Sequence, residues 1–179
     1  GVGAYMHPPE TSGMERVKFC SEGMGLSHIP EDSSIQQWLG KSVQFQYSNE
    51  WDARIPRDLG AGWCFEDIRN FYLKSLFNID PRLLKRTAPE QFALLSRVTT
   101  GEVIAKVFKQ WRSNQSQCNG GLIWFNRDFW PCAGFGIIDS FDIPKASYFI
   151  LKRLWQSTQV ILQNIGLDGC EINLITEKD

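Results

Sequence analysis

The amino-acid sequence predicts an α/β fold in which strands alternate with helices and the strands pair in parallel. Two observations favour it. Short β-prone runs at 17–20 and 120–125 are separated by residues with helical periodicity, and another helical segment follows the second run. This order is typical of βα units of a parallel sheet. Two β-prone segments joined by a turn then end the chain, and they predict the start of a separate antiparallel domain.

The first third of the chain is predicted to hold one strand between two irregular regions. Residues up to 16 contain two prolines and three glycines, which indicates irregular structure. The β-prone run 17–20 stops at the turn-prone sequence Ser-Glu-Gly, so we predict a short strand. Residues 30–64 show weak periodicity, and we predict a long loop with one short helix there.

Residues 65–112 form a predicted helical block. Apolar residues at spacings of three and four, from Phe65 to Leu76, indicate one buried helical face. Asp80 followed by Pro81 is typical of an N-cap residue and the first position of a helix.

Two tetrapeptides in this block match the capping-box template, in which Thr is followed three residues later by Glu. They are residues 87–90 and 99–102, and each predicts the start of a helix. An apolar stripe after the second tetrapeptide predicts a helix that extends to about Arg112.

The last third of the chain returns to strands. Two glycines open the apolar run 120–125, which predicts a strand buried on both faces, and residues 135–138 predict a further extended piece. Residues 144–145 are predicted to open a helix. Segments 159–165 and 170–176 predict a hairpin. Apolar and polar residues alternate in its second strand, so we expect its polar face to contact water.

Length and the first residues bear on domain organisation. The chain has 179 residues, which suits one domain or slightly more. It begins Gly-Val-Gly-Ala, without Met and without a basic or apolar leader, so we interpret it as a cut piece or a processed product.

Composition disfavours several classes of partner. The formal net charge of −1 gives no electrostatic reason to expect a nucleic acid or an anionic membrane. No apolar run approaches the roughly 18–20 residues that span a bilayer. Five scattered Cys and two His predict neither a disulfide framework nor a metal site. Seven Trp and twelve Phe indicate a thick core, a stacking surface for a ring-shaped ligand, or both.

Two places in the sequence carry candidate functional residues. Glu22 follows the first strand, where α/β barrels place catalytic groups, although by position alone such a Glu is more often an exposed loop residue. Residues 124–131 combine aromatic rings with an amide and opposite charges, a mixture that suits a polyhydroxylated ligand. A core Trp with a structural contact between Arg127 and Asp128 explains the same cluster equally well.

Four motifs resemble glycoside hydrolase family 2, especially its β-mannosidase-like members. Val-Lys-Phe-Cys-Ser-Glu at 17–22, followed by Pro30, is similar to the segment that carries the catalytic nucleophile. Gly-Gly-Leu-Ile-Trp-Phe-Asn-Arg-Asp-Phe-Trp-Pro at 120–131 resembles the last barrel strand of that family. Pro-Lys-Ala-Ser-Tyr-Phe at 144–149 resembles the start of the last barrel helix, and Gly-Leu-Asp-Gly-Cys-Glu-Ile at 166–172 resembles a turn in the following β-sandwich.

The resemblance implies both a fold and an activity. Residues 1–156 would be the C-terminal part of a TIM (β/α)8 barrel, and residues 157–179 the first strands of an immunoglobulin-like β-sandwich. The family hydrolyses β-glycosides with retention of configuration and needs neither metal nor organic cofactor, so the implied partner is a carbohydrate. Glu22 matches the nucleophile position. Three residues match the sugar subsite: Trp124, Asp128 and Trp130.

The family's acid/base residue has no match in this chain. In the family that Glu follows an Asn and lies well upstream of the nucleophile, whereas Asn49-Glu50 lies downstream of Glu22 in the predicted loop. The role is therefore not transferred, and we expect the isolated chain to lack turnover because retention requires two carboxyl groups.

Departures from the motifs leave sugar specificity open. Gly23 stands where many β-mannosidases have an aromatic residue, the stretch from Glu22 to Pro30 is one residue longer, and Arg127-Asp128 replaces Asn-Asp. The alternative functions are a non-catalytic carbohydrate-binding or interaction module that uses the Trp-rich cluster, and a pseudoenzyme of the same family.

Overall fold

The computed structural model describes residues 16–40, 48–114, 116–164, 167 and 169–177. Six helices and two strands lie in this part of the chain: α1 Asp32–Leu39, α2 Asn49–Asp52, α3 Phe65–Phe77, α4 Pro81–Thr87, α5 Pro89–Trp111, α6 Ala146–Leu154, β1 Thr158–Asn164 and β2 Cys170–Thr176. The predicted irregular start and the Asp168 position of the predicted turn lie outside the described residues.

Helices α3 and α4 begin where the sequence predicts them. Helix α3 starts at Phe65, and the carboxylate of Asp67 accepts the backbone N–H of Cys64 at 2.9 Å. Asp80 caps α4 by accepting the backbone N–H groups of Arg82 and Leu83 at 2.9 and 3.2 Å. These contacts satisfy N–H groups that the first turn of a helix leaves unpaired.

The first predicted capping box correctly marks a helix start, because α5 begins at Pro89, but its capping residue is wrong, and the second box is wrong altogether. Thr87 ends α4 instead of capping α5, and its hydroxyl donates to the carbonyl of Leu83 at 2.9 Å. Thr99 and Thr100 are buried inside the continuous helix α5, where the Thr99 hydroxyl donates to the Leu95 carbonyl at 2.7 Å. A hydroxyl bonded to a preceding carbonyl of the same helix no longer competes with helical structure, so the template fails there.

The predicted parallel pairing is present, but as an isolated bridge rather than as two strands. Cys20 pairs in parallel with Gly121: the Cys20 N–H donates to Gly120 at 3.0 Å, and the Leu122 N–H donates to Cys20 at 2.8 Å. The Asn119 N–H also donates to Lys18 at 2.8 Å, but among the described residues the two runs form only this single bridge. The predicted piece 135–138 contributes a single residue, Ile138, to two further bridges.

Two hydrophobic clusters lie on either side of a buried segment. The larger cluster joins α3, α5 and α6, and the smaller one joins α1, α2, the second half of α3, α4 and the start of α5. Residues 23–30, which directly follow Glu22, are buried along their whole length. They supply Met24 and Leu26 to the larger cluster and Ile29 to the smaller one. The chain that follows Glu22 is therefore fixed by packing on both sides.

The hairpin faces the opposite way from the sequence expectation. β1 and β2 pair antiparallel in the register Thr158↔Thr176 to Asn164↔Cys170. Asn173 is only 2% exposed and bonds to Asn114 at 3.2 Å, so the polar face of β2 lies against the helical body. The water-facing side is apolar and consists of Val160, Leu162, Ile172 and Leu174. Alternation defines two faces, but long-range contacts decide which face is covered.

In the part of the chain that the structure describes, no helix is both long enough and apolar enough to cross a membrane.

A buried carboxylate joins α2, α3 and α4. Glu66 contacts Lys85 at 2.7 Å and Arg69 at 3.2 Å, and it accepts the indole N–H of Trp51 at 3.3 Å. Burial alone would raise the pKa of Glu66, but the guanidinium of Arg69 and the ammonium of Lys85 outweigh burial and lower its pKa to about 2.

We predict that stability decreases as the pH falls from about 4.5 to about 2, the window between the ordinary and the folded pKa of Glu66. A carboxyl group with a depressed folded pKa contributes fully above its unfolded pKa and loses that contribution as the pH falls through its folded pKa. The depression corresponds to about 3 kcal/mol. Urea unfolding at pH 7 and at pH 2.5 measures the difference.

Glu66→Gln should lower the free energy of unfolding at pH 7 and reduce its dependence on pH. Glu102→Gln, at an exposed position of α5, is the control and should behave as the wild type. An unchanged pH dependence in Glu66→Gln would contradict this assignment.

Candidate functional site

Glu22 and Trp124 lie at the same end of the parallel pair. Glu22 follows Cys20 on one run, and on the other the backbone N–H of Trp124 donates to the Gly23 carbonyl at 3.1 Å. The side chain of Glu22 is exposed, and Trp124 is 43% exposed. The Trp124–Phe125 peptide bond is cis. The carboxyl ends of parallel strands are the edge where α/β folds form ligand sites.

A cavity of about 460 Å³ lies beside this edge. One wall is the aromatic loop, which we define as residues 124–135, and the other is the stretch 53–58 after α2. Phe129 and Trp130 line the cavity and are 82% and 54% exposed. Exposed aromatic faces beside polar groups suit a ring-shaped ligand that also carries hydrogen-bonding groups.

Two phenylalanines fix the aromatic loop to the helical body. Phe135 packs edge-to-face on Phe65, the first residue of α3, with ring centroids 4.6 Å apart. Phe125 contacts Phe135 at 5.8 Å and Trp124 at 5.6 Å. The loop therefore rests on partly buried rings, while Trp124 and Trp130 keep exposed surface toward the cavity.

Asp128 points into the protein. It is 3% exposed, and its carboxylate contacts the Lys145 ammonium at 2.5 Å and accepts the Gly136 N–H at 2.7 Å. Burial raises the pKa of Asp128, and the Lys145 charge opposes that rise. The alternative contact between Arg127 and Asp128 is wrong, because Arg127 pairs with Asp142 at 2.8 Å.

The sequence predicted only that Lys145 opens a helix, and it did not indicate a role for this residue in the site. Lys145 is 1% exposed, and its ammonium also donates to the carbonyls of His28 at 3.1 Å and Gly134 at 3.5 Å. One signal was available. Lys145 is the N-cap residue of α6, and a positive charge is unfavourable at a helix N-terminus, so such a Lys indicates a role outside its helix.

Two further titratable groups are buried at this site: Cys132 in the aromatic loop, and His28 in the adjoining segment 23–30. Burial and the nearby Asp128 raise the pKa of the Cys132 thiol to about 12. Burial, assisted by Lys145 and Arg69, holds the pKa of His28 well below its ordinary value. Both groups are therefore neutral at pH 7. Across the described ranges, no three His, Cys, Asp or Glu side chains come together to hold a metal ion.

No protein-family model matches the chain. Among curated proteins, Beta-mannosidase B of Thermothelomyces thermophilus is 30% identical over 69 residues, which are 36% of this chain and 8% of that protein. Beta-mannosidase B of Aspergillus niger is 29% identical over 68 residues, with the same coverage of 36% and 8%. The matched part of the chain therefore covers less than a tenth of the length of these curated relatives.

A solved structure shares the fold. The Beta-D-Mannosidase from Dictyoglomus thermophilum matches with a TM-score of 0.66 and 22% identity, over 82% of this chain and 17% of that chain. The resemblance to β-mannosidases that the motifs predict is therefore confirmed.

We predict that Gly136→Ala destabilises the protein by about 2 kcal/mol or more, because a methyl group there overpacks a close backbone contact. A Cβ at Gly136 would lie 2.4 Å from the Asp128 nitrogen and 2.7 Å from the Arg127 carbonyl carbon. Urea unfolding measures the change. Gly62→Ala is the matched control, since a Cβ there meets no atom within 4 Å. Equal stabilities of the two variants would show that the contact is not tight.

Proposed function

We propose that this chain contributes to a retaining β-glycosidase, with residues 1–156 forming the C-terminal part of a (β/α)8 barrel and residues 157–179 beginning an immunoglobulin-like β-sandwich. The parallel pairing of Cys20 with Gly121 and the antiparallel hairpin support this division. The fold shared with the Dictyoglomus enzyme supports it as well.

Glu22 is the proposed nucleophile. The observation that carries this role is the bond from the Trp124 N–H to the Gly23 carbonyl at 3.1 Å, which sets the exposed Glu22 beside an exposed Trp at the strand ends. In such a reaction the Glu22 carboxylate attacks the anomeric carbon, and the C–O bond to the leaving group breaks. An acid gives that oxygen its proton, and water then hydrolyses the resulting glycosyl ester.

The second carboxyl group is proposed to come from outside these 179 residues. Retention requires it about 5–5.5 Å from the nucleophile, where it acts first as an acid and then as a base. The chain would thus supply the nucleophile and one wall of the sugar site, but not the complete catalytic pair.

The aromatic loop is the proposed sugar-binding wall. Trp124 and Trp130 offer exposed faces on which the apolar face of a sugar can stack. Asp128 is proposed to brace this wall from behind, because its carboxylate bonds to Lys145 and Gly136. The names of the curated relatives favour β-mannosides as substrates.

The first functional prediction concerns Glu22. In the protein expressed from its complete coding sequence, Glu22→Ala should lower the hydrolysis of an aryl β-mannoside at least 10³-fold, as expected for loss of a nucleophile. Added azide should restore turnover and yield the α-glycosyl azide, because it attacks once from the face that Glu22 leaves. Chromogenic assay and NMR of the product measure both effects.

Glu102→Gln is the control for this experiment and should retain wild-type turnover, since Glu102 is exposed on α5, far along the chain from the site. Wild-type turnover that persists in Glu22→Ala, or azide rescue that gives the β-azide, would remove Glu22 from the nucleophile role. Turnover by the isolated 179-residue chain would contradict the proposed location of the acid/base residue.

A second candidate function is carbohydrate binding without catalysis, and the exposed rings of the aromatic loop favour it. We predict that Trp124→Ala weakens the binding of manno-oligosaccharides by about 1–2 kcal/mol, measured by calorimetry. Phe149→Ala, which removes an exposed ring from α6, is the control. Binding that survives Trp124→Ala would exclude this wall as the sugar site. Binding without Glu22-dependent turnover would favour the non-catalytic function.

A further inference from the structure

Two segments of the candidate site run side by side behind the strand ends. The first is the buried segment 23–30, which follows Glu22, and the second is the aromatic loop, which carries Trp124 and Trp130. They are joined by a backbone bond from the His28 N–H to Gly134 at 2.9 Å and by a bond from the Ser27 hydroxyl to Ala133 at 2.8 Å. We call this line of contacts the seam. The relative position of the proposed nucleophile and the proposed sugar-binding wall therefore depends on it.

Lys145 lies at the centre of the seam and belongs to neither segment. Its ammonium contacts the His28 carbonyl on one side, and the Asp128 carboxylate and the Gly134 carbonyl on the other. Lys145 lies at the start of α6 and is 117 residues away from His28 along the chain. One ammonium thus has three acceptors, which is the number of donors it carries.

Packing alone does not account for a charge at this position. The side chains of Lys145 and Asp128 are each 1% exposed, and taking such charges out of water carries a large desolvation penalty. An apolar pair of similar volume often stabilises a protein as well or better. A directional ammonium, however, fixes three acceptors at set distances, which apolar packing does not do.

We propose that Lys145 is a positioning residue that locks the aromatic loop in register with the segment that follows Glu22. This inference rests on the proposed function for its effect on turnover, but not for its effect on the loop. Without the ammonium, Asp128 loses its charge partner while remaining buried, and we expect the loop to open so that water reaches the carboxylate.

The reactivity of the Cys132 thiol measures the opening of the loop and does not depend on enzymatic activity. Cys132 belongs to the loop and is only 6% exposed, while Cys20 is 2% exposed in the larger core cluster and serves as an internal reference. In native buffer, alkylation by iodoacetamide is followed by mass spectrometry of the peptides. Lys145→Met should speed the alkylation of Cys132 at least tenfold while Cys20 stays protected.

Lys85→Met is the matched control, because Lys85 also pairs with a buried carboxylate, that of Glu66, away from the seam. It should leave Cys132 protected. Protection of Cys132 in Lys145→Met, or joint exposure of Cys20 and Cys132, would overturn the proposal, since the second result means general unfolding. If Lys145→Met fails to fold, Asp128→Asn takes its place, with the same pattern expected.

Kinetics separates this proposal from the proposed function. In the complete protein, Lys145→Met should lower kcat/KM for an aryl β-mannoside about 10–100-fold, with both a lower kcat and a higher KM, because small misplacements of a site reduce rates by this order. Lys85→Met should change it less than twofold. Turnover independent of Glu22 would reject the proposed function, whereas Glu22-dependent turnover with equal Lys145→Met and Lys85→Met values would reject the positioning role.

Discussion

The geometry of the candidate site depends on the buried ion pair between Lys145 and Asp128. Burying either charge alone is strongly unfavourable, so each requires the other together with further hydrogen bonds. Those bonds impose strict conditions on the neighbouring backbone. Gly136 donates to Asp128 at 2.7 Å, and a Cβ at Gly134 would lie 2.4 Å from the same carboxylate. The aromatic loop can therefore turn here only because two glycines let the backbone approach the ion pair.

Buried charges also hold the segment that follows Glu22. Three buried cations from separate parts of the chain donate to its carbonyls: Arg69 to Ser27, Lys145 to His28 and Arg97 to Pro30. Because the segment has no regular ladder of its own, these side chains satisfy backbone acceptors that would otherwise be buried unpaired. Helices α3 and α5 thus act on the site by supplying donors as well as by covering a core.

Local patterns predicted what local physics determines. The spacing of apolar residues from Phe65 onward and the Asp80 cap gave the starts of α3 and α4, since both depend on neighbours within one or two turns. The sequence motifs also predicted that Glu22 and Trp124 belong to the same site. The covered face of β2 and the partner of Asp128 were not predictable in this way. Each is decided by groups far along the chain, such as Asn114 for Asn173 and Lys145 for Asp128.

The many aromatic residues of the sequence fall into two groups, one buried in the core and one exposed beside the cavity. Trp51 is fully buried and bonds to Glu66, and Trp111 packs against Phe108 in the larger core cluster. Trp124 and Trp130 remain exposed, although apolar packing on the same loop holds the rings of Phe125 and Phe135. Leaving large rings in water gains no burial free energy, so packing alone gives no reason for them. The proposed sugar site gives one, because a ligand that stacks on both rings would bury them, and the proposed retaining mechanism then requires a second carboxyl group beside Glu22.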